Sequence, residues 1–289
     1  MKYIKSPLNY TGGKFKILNS ILPLLPYSIN TFIDLFGGGF NVGINVNAEK
    51  IIYNDHNPFL KDMFLYFKEN DLIIDEIKKT ISEFKLSKTN KEGYLKLRER
   101  YNKDKSVSDL FVLTCYSFNH QIRFNSKHEF NTPFGKERSE YNNTIETNLK
   151  EFIKLLKSKN IEFCSGDFMS FKDYQFKKND FVYCDPPYLI TNASYNDGKR
   201  GFKDWGEKEE EELLSLLDDF DKRKINFMLS NVLEHQGRKN ERLIEWSKNY
   251  NIKEIEKDYK NCNYHKKSKA ADTQEVIIYN FKNNMLKLK

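Results

Sequence analysis

The order of short segments between residues 31 and 55 constrains the fold more than any other feature of the sequence. Residues 31–36 are a strand-like apolar run that enters Gly37-Gly38-Gly39, and residues 42–49 have the pattern of a short helix. Residues 50–53 are a second apolar run, which ends at Asn54-Asp55. Strand, glycine turn, helix, strand and acid is the order of a mononucleotide-binding half of a doubly wound sheet. The sequence therefore predicts an α/β fold with a Rossmann-like core.

Segments elsewhere in the chain extend this core and interrupt it. From residue 57 to residue 149 the pattern changes to amphipathic helical segments, of which residues 59–69 and 72–84 are the first two. We therefore predict a core of residues 1–56 and 150–289, into which a mainly helical lobe of residues 57–149 is inserted. Further strand-like runs occur at residues 161–164, 181–184, 225–230 and 274–281, and helical patterns occur at residues 14–25 and 207–221.

Composition excludes several classes of protein. The 289 residues carry a net charge of +7, which fits a polyanionic partner. The apolar runs are shorter than the roughly 20 residues that span a bilayer, and residues 1–7 lack the apolar stretch of a secretory signal. The four cysteines have neither zinc spacing nor a disulfide framework; they are Cys115, Cys164, Cys184 and Cys262. We therefore expect a cytoplasmic monomer that contains no metal and does not contact a membrane.

The residues around the glycines suit a cationic adenosyl ligand. Glycines let the backbone pass close to a ligand, and Asp55, at the end of the next strand, can accept both hydroxyls of a ribose. Asp34 stands just before the glycines, and no lysine lies in a phosphate-binding loop. An anionic diphosphate would be repelled there, whereas a ligand with an ammonium and a sulfonium group would be attracted. These features favour S-adenosylmethionine over NAD or ATP; a tight turn with no ligand is the alternative for the glycines alone.

A second acid follows the third predicted core strand, in Ser165-Gly166-Asp167-Phe168. Asp167 can accept a hydrogen bond from an adenine amino group, and Phe168 can pack on the ring. A turn that precedes a helix is an equally good interpretation of these four residues by themselves.

The tetrapeptide Asp185-Pro186-Pro187-Tyr188 ends the apolar run of residues 181–184 and has a chemical use. An exocyclic amine is a poor nucleophile because its lone pair is delocalised into the ring. The Asp185 carboxylate and the Pro186 carbonyl could accept both N–H bonds and so favour a tetrahedral nitrogen, while Pro186 and Pro187 hold the backbone rigid. Tyr188 could stack on the base, an interaction worth roughly 1–3 kcal/mol. The alternative is a proline-stiffened turn after a buried strand.

With the segment Asn9-Tyr10-Thr11-Gly12-Gly13-Lys14, these motifs resemble the Dam-type family of DNA adenine-N6 methyltransferases, which includes modification enzymes of restriction systems. The resemblance extends from the first ten residues to about residue 279, and the motif order is similar to the alpha arrangement of amino-methyltransferases. It implies a Rossmann-like methyltransferase core with an inserted DNA target-recognition lobe.

The resemblance also implies roles for single residues. It places Asp185 at the methyl-transfer centre, beside Pro186, Pro187 and Tyr188, for which the chemistry of the motif predicts catalytic roles. Two departures from the family pattern are Tyr10, where tryptophan is frequent, and Phe40, which replaces the last glycine of the glycine motif. The residues for which it implies contacts with S-adenosylmethionine are Tyr10, Lys14, Asp34, Phe36, Gly38, Asp55, Asp167, Phe168 and Asp185.

Residues 123–135 resemble the hairpin with which this family touches its target. Arg123 or Lys127 could pair with guanine or phosphate, and Asn125 or Asn131 with adenine. We expect Phe124, Phe130 and Phe134 to form the apolar centre of the hairpin. Lys266 and Lys267, in the basic stretch 257–269, are predicted to contact backbone phosphates, with a solvated loop as the alternative.

The sequence thus predicts a site-specific enzyme that methylates N6 of a flipped adenine in double-stranded DNA. The resemblance implies the modification enzyme of a restriction-modification system, and the sequence leaves open whether a cognate restriction endonuclease is its partner. Cytosine-N4 methylation is the nearest rival function, because the same geometry serves both amines. In that group serine is commoner than aspartate at the first position of the motif, so Asp185 favours adenine. The sequence is also compatible, to a lesser degree, with a catalytically silent DNA-binding relative, an RNA methyltransferase or an NAD-linked dehydrogenase.

Overall fold

A computed structural model describes residues 3–10, 12–194, 205–255 and 273–282. In these ranges eight strands form one sheet in the order β3-β2-β1-β4-β5-β8-β7, with β6 paired to β5. The run from β3 to β5 is parallel, whereas β8 is antiparallel to β5 and β7 is antiparallel to β8. The strands are β1 (Thr31–Asp34), β2 (Lys50–Asp55), β3 (Ile161–Ser165), β4 (Phe181–Cys184), β5 (Asn226–His235), β6 (Arg238–Lys239), β7 (Asn251–Glu254) and β8 (Thr273–Tyr279).

The central strands form where the sequence is continuously apolar. All four residues of β1 and all four of β4 are buried, because helices cover both faces of the parallel part of the sheet. The strands predicted at residues 161–164, 181–184, 225–230 and 274–281 are confirmed. The fold is therefore α/β with a mostly parallel central sheet, as predicted.

The long predicted helices are also confirmed. The pattern of residues 59–69 corresponds to α2, whose start is fixed by Pro58 and by the Asn57 side chain, which accepts the Phe59 N–H. The patterns of residues 72–84 and 207–221 correspond to α3 and α7. The α-helices are α1 (Leu18–Ile21), α2 (Pro58–Glu69), α3 (Ile73–Glu83), α4 (Lys91–Asp104), α5 (Val107–Tyr116), α6 (Asn143–Ser158), α7 (Glu207–Lys222) and α8 (Glu241–Ser247).

Two predicted helices are wrong as continuous helices. Residues 14–25 form three short pieces, a 3-10 turn at Lys14–Ile17, then α1, then a 3-10 turn at Leu22–Leu24. Pro23 lies inside this segment and lacks the N–H that a continuing helix needs. Residues 42–49 contain only the 3-10 turn Gly43–Asn45. There the Asn45 side-chain amide donates to the carbonyls of Ile4 and Asn41, a local alternative to helical hydrogen bonds.

Two apolar clusters cover the two faces of the sheet. The larger joins residues of the sheet to α2–α6, and the smaller joins the other face to α7 and α8. Phe64 of α2 packs on Tyr53 of β2, with ring centroids 5.4 Å apart. Residues 58–69 thus share the core of the sheet, and the boundary drawn at residue 57 for an inserted lobe stays a prediction. No helix in the described ranges has the length and hydropathy to cross a membrane.

Candidate active site

The carboxyl ends of the parallel strands face a cavity at the point where the strand order reverses. β1 and β4 are neighbours, and the chain leaves them toward opposite edges of the sheet, β1 toward β2 and β4 toward β5. Open α/β sheets bind their ligands at such a switch point. The cavity has a volume of about 340 Å³.

The residues predicted for cofactor binding and catalysis all line this one cavity. The structure therefore brings together motifs that are up to 178 positions apart, from residue 10 to residue 188. Which of them contact a ligand stays a prediction. They are Tyr10, Lys14, Asp34, Phe36, Gly38, Asp55, Asp167, Phe168, Asp185, Pro186, Pro187 and Tyr188.

The glycines after β1 pack directly on aromatic rings. A Cβ at Gly37 would lie 2.3 Å from the ring of Tyr53, and Gly38 has a φ of +47°, which favours glycine. The Tyr53 hydroxyl donates to the Gly38 carbonyl at 2.9 Å and fixes the loop. A Cβ at Gly39 would lie 2.9 Å from the Cβ of Tyr10. Close packing alone therefore requires glycine at two positions, whatever the cavity binds.

The packing of Phe40 offsets the strain of a non-glycine residue at this position of the glycine loop. Its φ of +58° is left-handed, a conformation that costs a non-glycine residue roughly 1–2 kcal/mol. The ring is fully buried and contacts Tyr53, Phe64 and Phe163 at centroid distances of 4.9 to 6.1 Å. Burial of a phenylalanine side chain contributes about 1.5–3 kcal/mol, which offsets the backbone strain.

Asp34, the last residue of β1, is a buried acid. Its side chain is 2% exposed, and its carboxylate accepts the Gly43 N–H at 3.0 Å. Burial raises its pKa to about 8, and the negative charges of Asp185 and Asp55 act in the same direction. A cationic ligand in the cavity would offset both the lost hydration and this repulsion.

Asp55, the last residue of β2, holds the glycine loop. One carboxylate oxygen accepts the Gly38 N–H and the other the Asn57 N–H, each at 2.8 Å. Burial raises the Asp55 pKa, and the two backbone hydrogen bonds oppose that rise. A carboxylate has about four acceptor sites, so these two bonds leave capacity for the paired hydroxyls of a ribose.

Three aromatic rings form one wall of the cavity. The centroid of Phe36 is 5.4 Å from that of Phe168 and 5.5 Å from that of Trp205, and Phe168 and Trp205 are 5.7 Å apart. This wall is apolar and suits a flat base. Asp167 beside it accepts the Met169 N–H at 2.9 Å and caps a 3-10 turn, so the turn interpretation of this motif is confirmed.

Asp185 directly follows β4 and is engaged by two donors. The Lys14 Nζ lies 2.8 Å from its Oδ1, and the Tyr188 hydroxyl donates to the same oxygen at 3.0 Å. Lys14 also donates to the Gly12 carbonyl at 2.8 Å, and its ammonium lies 4.9 Å from the centre of the Tyr188 ring. Burial raises the Asp185 pKa, while the charge and hydrogen bond of Lys14 lower it in part.

Trp205 lines the cavity and Glu275 contacts two residues that line it, and both were missed in the sequence. The Glu275 Oε1 lies 3.3 Å from the Tyr188 hydroxyl and 3.9 Å from the Lys14 Nζ. One signal was available for Glu275, an acid inside the predicted strand of residues 274–281. Trp205 contributes through the aromatic wall, and no sequence pattern linked it to Phe36.

The predicted DNA contacts are only partly gathered at the cavity. Arg123 lines it, whereas Lys127 and Asn131 are exposed on the hairpin beyond it. The Asn125 Oδ1 accepts the backbone N–H groups of Lys127 and Glu129, so this side chain shapes the turn. Lys266 and Lys267 lie outside the described residues. Contacts of all these residues with DNA stay predictions.

The aromatic centre of the hairpin is confirmed. Phe124 and Phe130 are 3% and 1% exposed, and the two residues pair as an isolated antiparallel bridge. Phe134 is partly buried and packs on Tyr94 at a centroid distance of 5.3 Å. Phe124 also stacks on Phe59 of α2 at 4.4 Å, which fastens the hairpin to the helices.

Within the ranges that the structure describes, no group of three or more His, Cys, Asp or Glu side chains is arranged to hold a metal ion. The acids at the cavity instead meet backbone N–H groups, Lys14 and Tyr188.

Comparison with known proteins gives consistent matches. The sequence model of the D12 class N6 adenine-specific DNA methyltransferases matches residues 10–261. The chain is 50% identical over 283 residues to the type II methyltransferase M.FokI of Planomicrobium okeanokoites. This match covers 97% of this chain and 43% of that protein. It is 46% identical over 291 residues to the modification methylase StsI of Streptococcus sanguinis, covering 99% of this chain and 44% of that protein.

The chain thus spans less than half the length of these two relatives. A shorter relative is matched along most of its length: the DNA adenine methylase of Haemophilus influenzae is 31% identical over 232 residues, which cover 78% of each chain. The family match includes the glycine loop, the helical segments and the Asp-Pro-Pro-Tyr motif. This chain therefore belongs to the D12 class N6 adenine-specific DNA methyltransferase family.

Proposed function

We propose that this chain transfers the methyl group of S-adenosylmethionine to N6 of an adenine in a specific double-stranded DNA sequence. The observation that carries the proposal is the position of Asp185-Pro186-Pro187-Tyr188 at the end of β4, in the same cavity as Asp34 and Asp55. A rigid acceptor pair for an amine therefore faces a pocket whose acids favour a cation.

The residues of the cavity fit the proposed cofactor. Asp34 would hold the ammonium group, Asp55 the ribose hydroxyls, and the wall of Phe36, Phe168 and Trp205 the adenine ring. The sulfonium group of S-adenosylmethionine would supply an electrophilic methyl group. An anionic diphosphate would meet the buried acids instead, at a high electrostatic cost.

The acceptors at the end of β4 would activate the target amine. The Asp185 carboxylate and the Pro186 carbonyl would accept its two N–H bonds, which favours a nitrogen whose lone pair is free to attack. The prolines hold this geometry before the base arrives, so little reorganisation is needed at the moment of reaction. Tyr188 would stack on the base and offset part of the few kcal/mol that unstacking from the duplex costs.

The helical region is proposed to select the DNA sequence. Residues 57–149 would act as the target-recognition lobe of a Rossmann-like methyltransferase, and the hairpin would bring Arg123, Asn125, Lys127 and Asn131 to the DNA. The region 85–142 has twelve Lys or Arg and seven Asp or Glu residues, an excess of positive charge suited to phosphates. Relatives named modification methylases are consistent with a cognate restriction endonuclease as a partner. That the enzyme acts as a monomer in the cytoplasm is part of the proposal and rests on the sequence alone.

The test is methylation of unmodified genomic DNA by the purified chain with S-adenosylmethionine, followed by single-molecule mapping of modified bases. Asp185→Ala is compared with Asp173→Ala, a change at an exposed acid upstream of β4. We expect N6-methyladenine in one short sequence with the wild type and the control, and none with Asp185→Ala. N4-methylcytosine would show that the target base is cytosine instead of adenine. A wild type that binds the cofactor but modifies no DNA would refute the proposal.

A further inference from the structure

The carboxylate proposed to receive the target amine already accepts hydrogen bonds from two side chains of the protein. Its Oδ1 is engaged by the Lys14 ammonium at 2.8 Å and by the Tyr188 hydroxyl at 3.0 Å. Charge-assisted hydrogen bonds of this length are strong, and an oxygen that accepts two of them is a weaker acceptor for a third. Lys14 also lies over the ring on which a base would stack. An amine that bonds to this oxygen therefore competes with both donors, and its bond is strongest if they move to another acceptor.

Glu275 is positioned to be that acceptor. Its Oε1 is 3.3 Å from the Tyr188 hydroxyl and 3.9 Å from the Lys14 Nζ, so the same two donors face both carboxylates. Shortening the distance to Lys14 by about 1 Å would give a full charge-assisted bond. A tyrosine hydroxyl has one proton, so Tyr188 can donate fully to one of the two carboxylates at a time.

The backbone of Glu275 is fixed by the sheet. It lies in β8, between β5 and β7, where it is opposite Val232, and its carbonyl accepts the Ile255 N–H at 2.9 Å. Its side chain is 12% exposed, so it is mostly withdrawn from water. A carboxylate held on a rigid strand can serve as a fixed point toward which flexible donors turn.

We propose that Glu275 is a positioning residue, which draws Tyr188 and Lys14 away from Asp185 Oδ1 when the amine enters and so frees that oxygen to accept one N–H bond of the amine. This inference rests on the proposed function. Glu275 acts through Asp185 and does not itself touch the reacting nitrogen. Its charge is essential, because only an anion competes with Asp185 for an ammonium.

The first measurement compares Glu275→Gln with the wild type in single-turnover methylation of a duplex that carries the mapped target. Glutamine keeps the size and an acceptor oxygen but removes the charge. We expect the single-turnover rate to fall on the order of tenfold, the effect of one lost charge-assisted hydrogen bond. The Kd for S-adenosylmethionine and for the duplex, measured by calorimetry, should stay within about twofold. Glu254→Gln is the control, since this exposed acid of β7 contacts Gln274.

The second measurement separates positioning from a merely structural role. In the Tyr188→Phe background one of the two donors is absent, so Glu275→Gln should cost less than about threefold in rate.

The pH profile gives an independent signal. Asp185 is surrounded by Lys14, Tyr188 and Glu275, with Asp34 and Tyr183 also facing it, and the negative charge of Glu275 raises its pKa. Removing that charge should move the acid limb of the rate to lower pH.

Unchanged single-turnover rates in Glu275→Gln would overturn the inference, as would a tenfold loss of equal size in both backgrounds. Loss of cofactor affinity together with rate would do the same, because it would indicate a damaged pocket. If the wild type and Glu254→Gln bind S-adenosylmethionine but methylate no DNA, the proposed function fails and this inference fails with it. Normal methylation by both, with an unimpaired Glu275→Gln, overturns the inference alone.

Discussion

Replacing Asp34 by asparagine removes an ionisable group that the fold buries at the end of β1. Asp34 is 2% exposed, accepts the Gly43 N–H, and has its pKa raised by burial from 3.8 to about 8. Asparagine has nearly the same shape and keeps an acceptor oxygen for Gly43. The substitution therefore isolates the effect of the ionisable proton on stability.

The expected magnitude follows from proton linkage. The folded protein holds the Asp34 proton up to about pH 8, whereas the unfolded chain releases it near pH 3.8. The contribution of Asp34 to the free energy of unfolding is therefore fully present below pH 3.8 and is lost as the pH rises toward 8. Between pH 6 and pH 8 the wild type should lose about 2 kcal/mol through this group, a loss that Asp34→Asn should not show.

The assay is urea unfolding of the ligand-free protein at pH 6, 7 and 8, followed by tryptophan fluorescence. Asp34→Asn should gain stability relative to the wild type as the pH rises, while its affinity for S-adenosylmethionine falls. Asp173→Asn, at an exposed position, serves as the control and should follow the wild type. Equal pH dependence in Asp34→Asn and the wild type would refute the argument that a buried proton sits at the end of β1.

Three further changes test packing and ion pairing in the fold, the first two of them at the glycine loop. Gly37→Ala places a Cβ 2.3 Å from the buried Tyr53 ring, so we expect a loss of about 1–3 kcal/mol in urea unfolding and weaker cofactor binding by calorimetry. Phe40→Gly relieves the left-handed backbone but leaves a cavity, and should lower the free energy of unfolding by about 2–4 kcal/mol. Asp109→Asn breaks the paired hydrogen bonds that Arg100 donates to this buried acid. It should lower the free energy of unfolding by about 2 kcal/mol in the same assay, which is less than for a fully buried pair because water partly hydrates Arg100.

The central sheet could be predicted because its strands are short apolar runs that are buried on both faces. The predicted strand at residues 181–184 coincides with β4, residue for residue. β7 has no such signal, since its residues Asn251–Glu254 are mostly exposed. It forms through backbone hydrogen bonds with β8 at the edge of the sheet, and those depend on an antiparallel pairing that local composition does not encode.

The site residues could be predicted where a recognisable sequence motif stands at the carboxyl end of a strand. Asp34, Asp55 and Asp185 each terminate or follow a parallel strand, so the sheet itself brings them to one edge. Glu275 could not be found that way, because it lies in the interior of an antiparallel strand. Its approach to Tyr188 depends on the register of β8 against β5, which pairs Glu275 with Val232, a residue far away in the sequence.

The acids that define the cavity also set the stability of the ligand-free protein. Asp34 and Asp55 lose hydration on folding, and Asp34 meets the repulsion of Asp55 and Asp185, so its ionised form is disfavoured until a cation enters. A ligand with a sulfonium and an ammonium group offsets that cost, whereas a diphosphate increases it. We therefore expect these carboxylates to lower the stability of the protein when no cation is bound, and to favour a positively charged ligand over an anionic one.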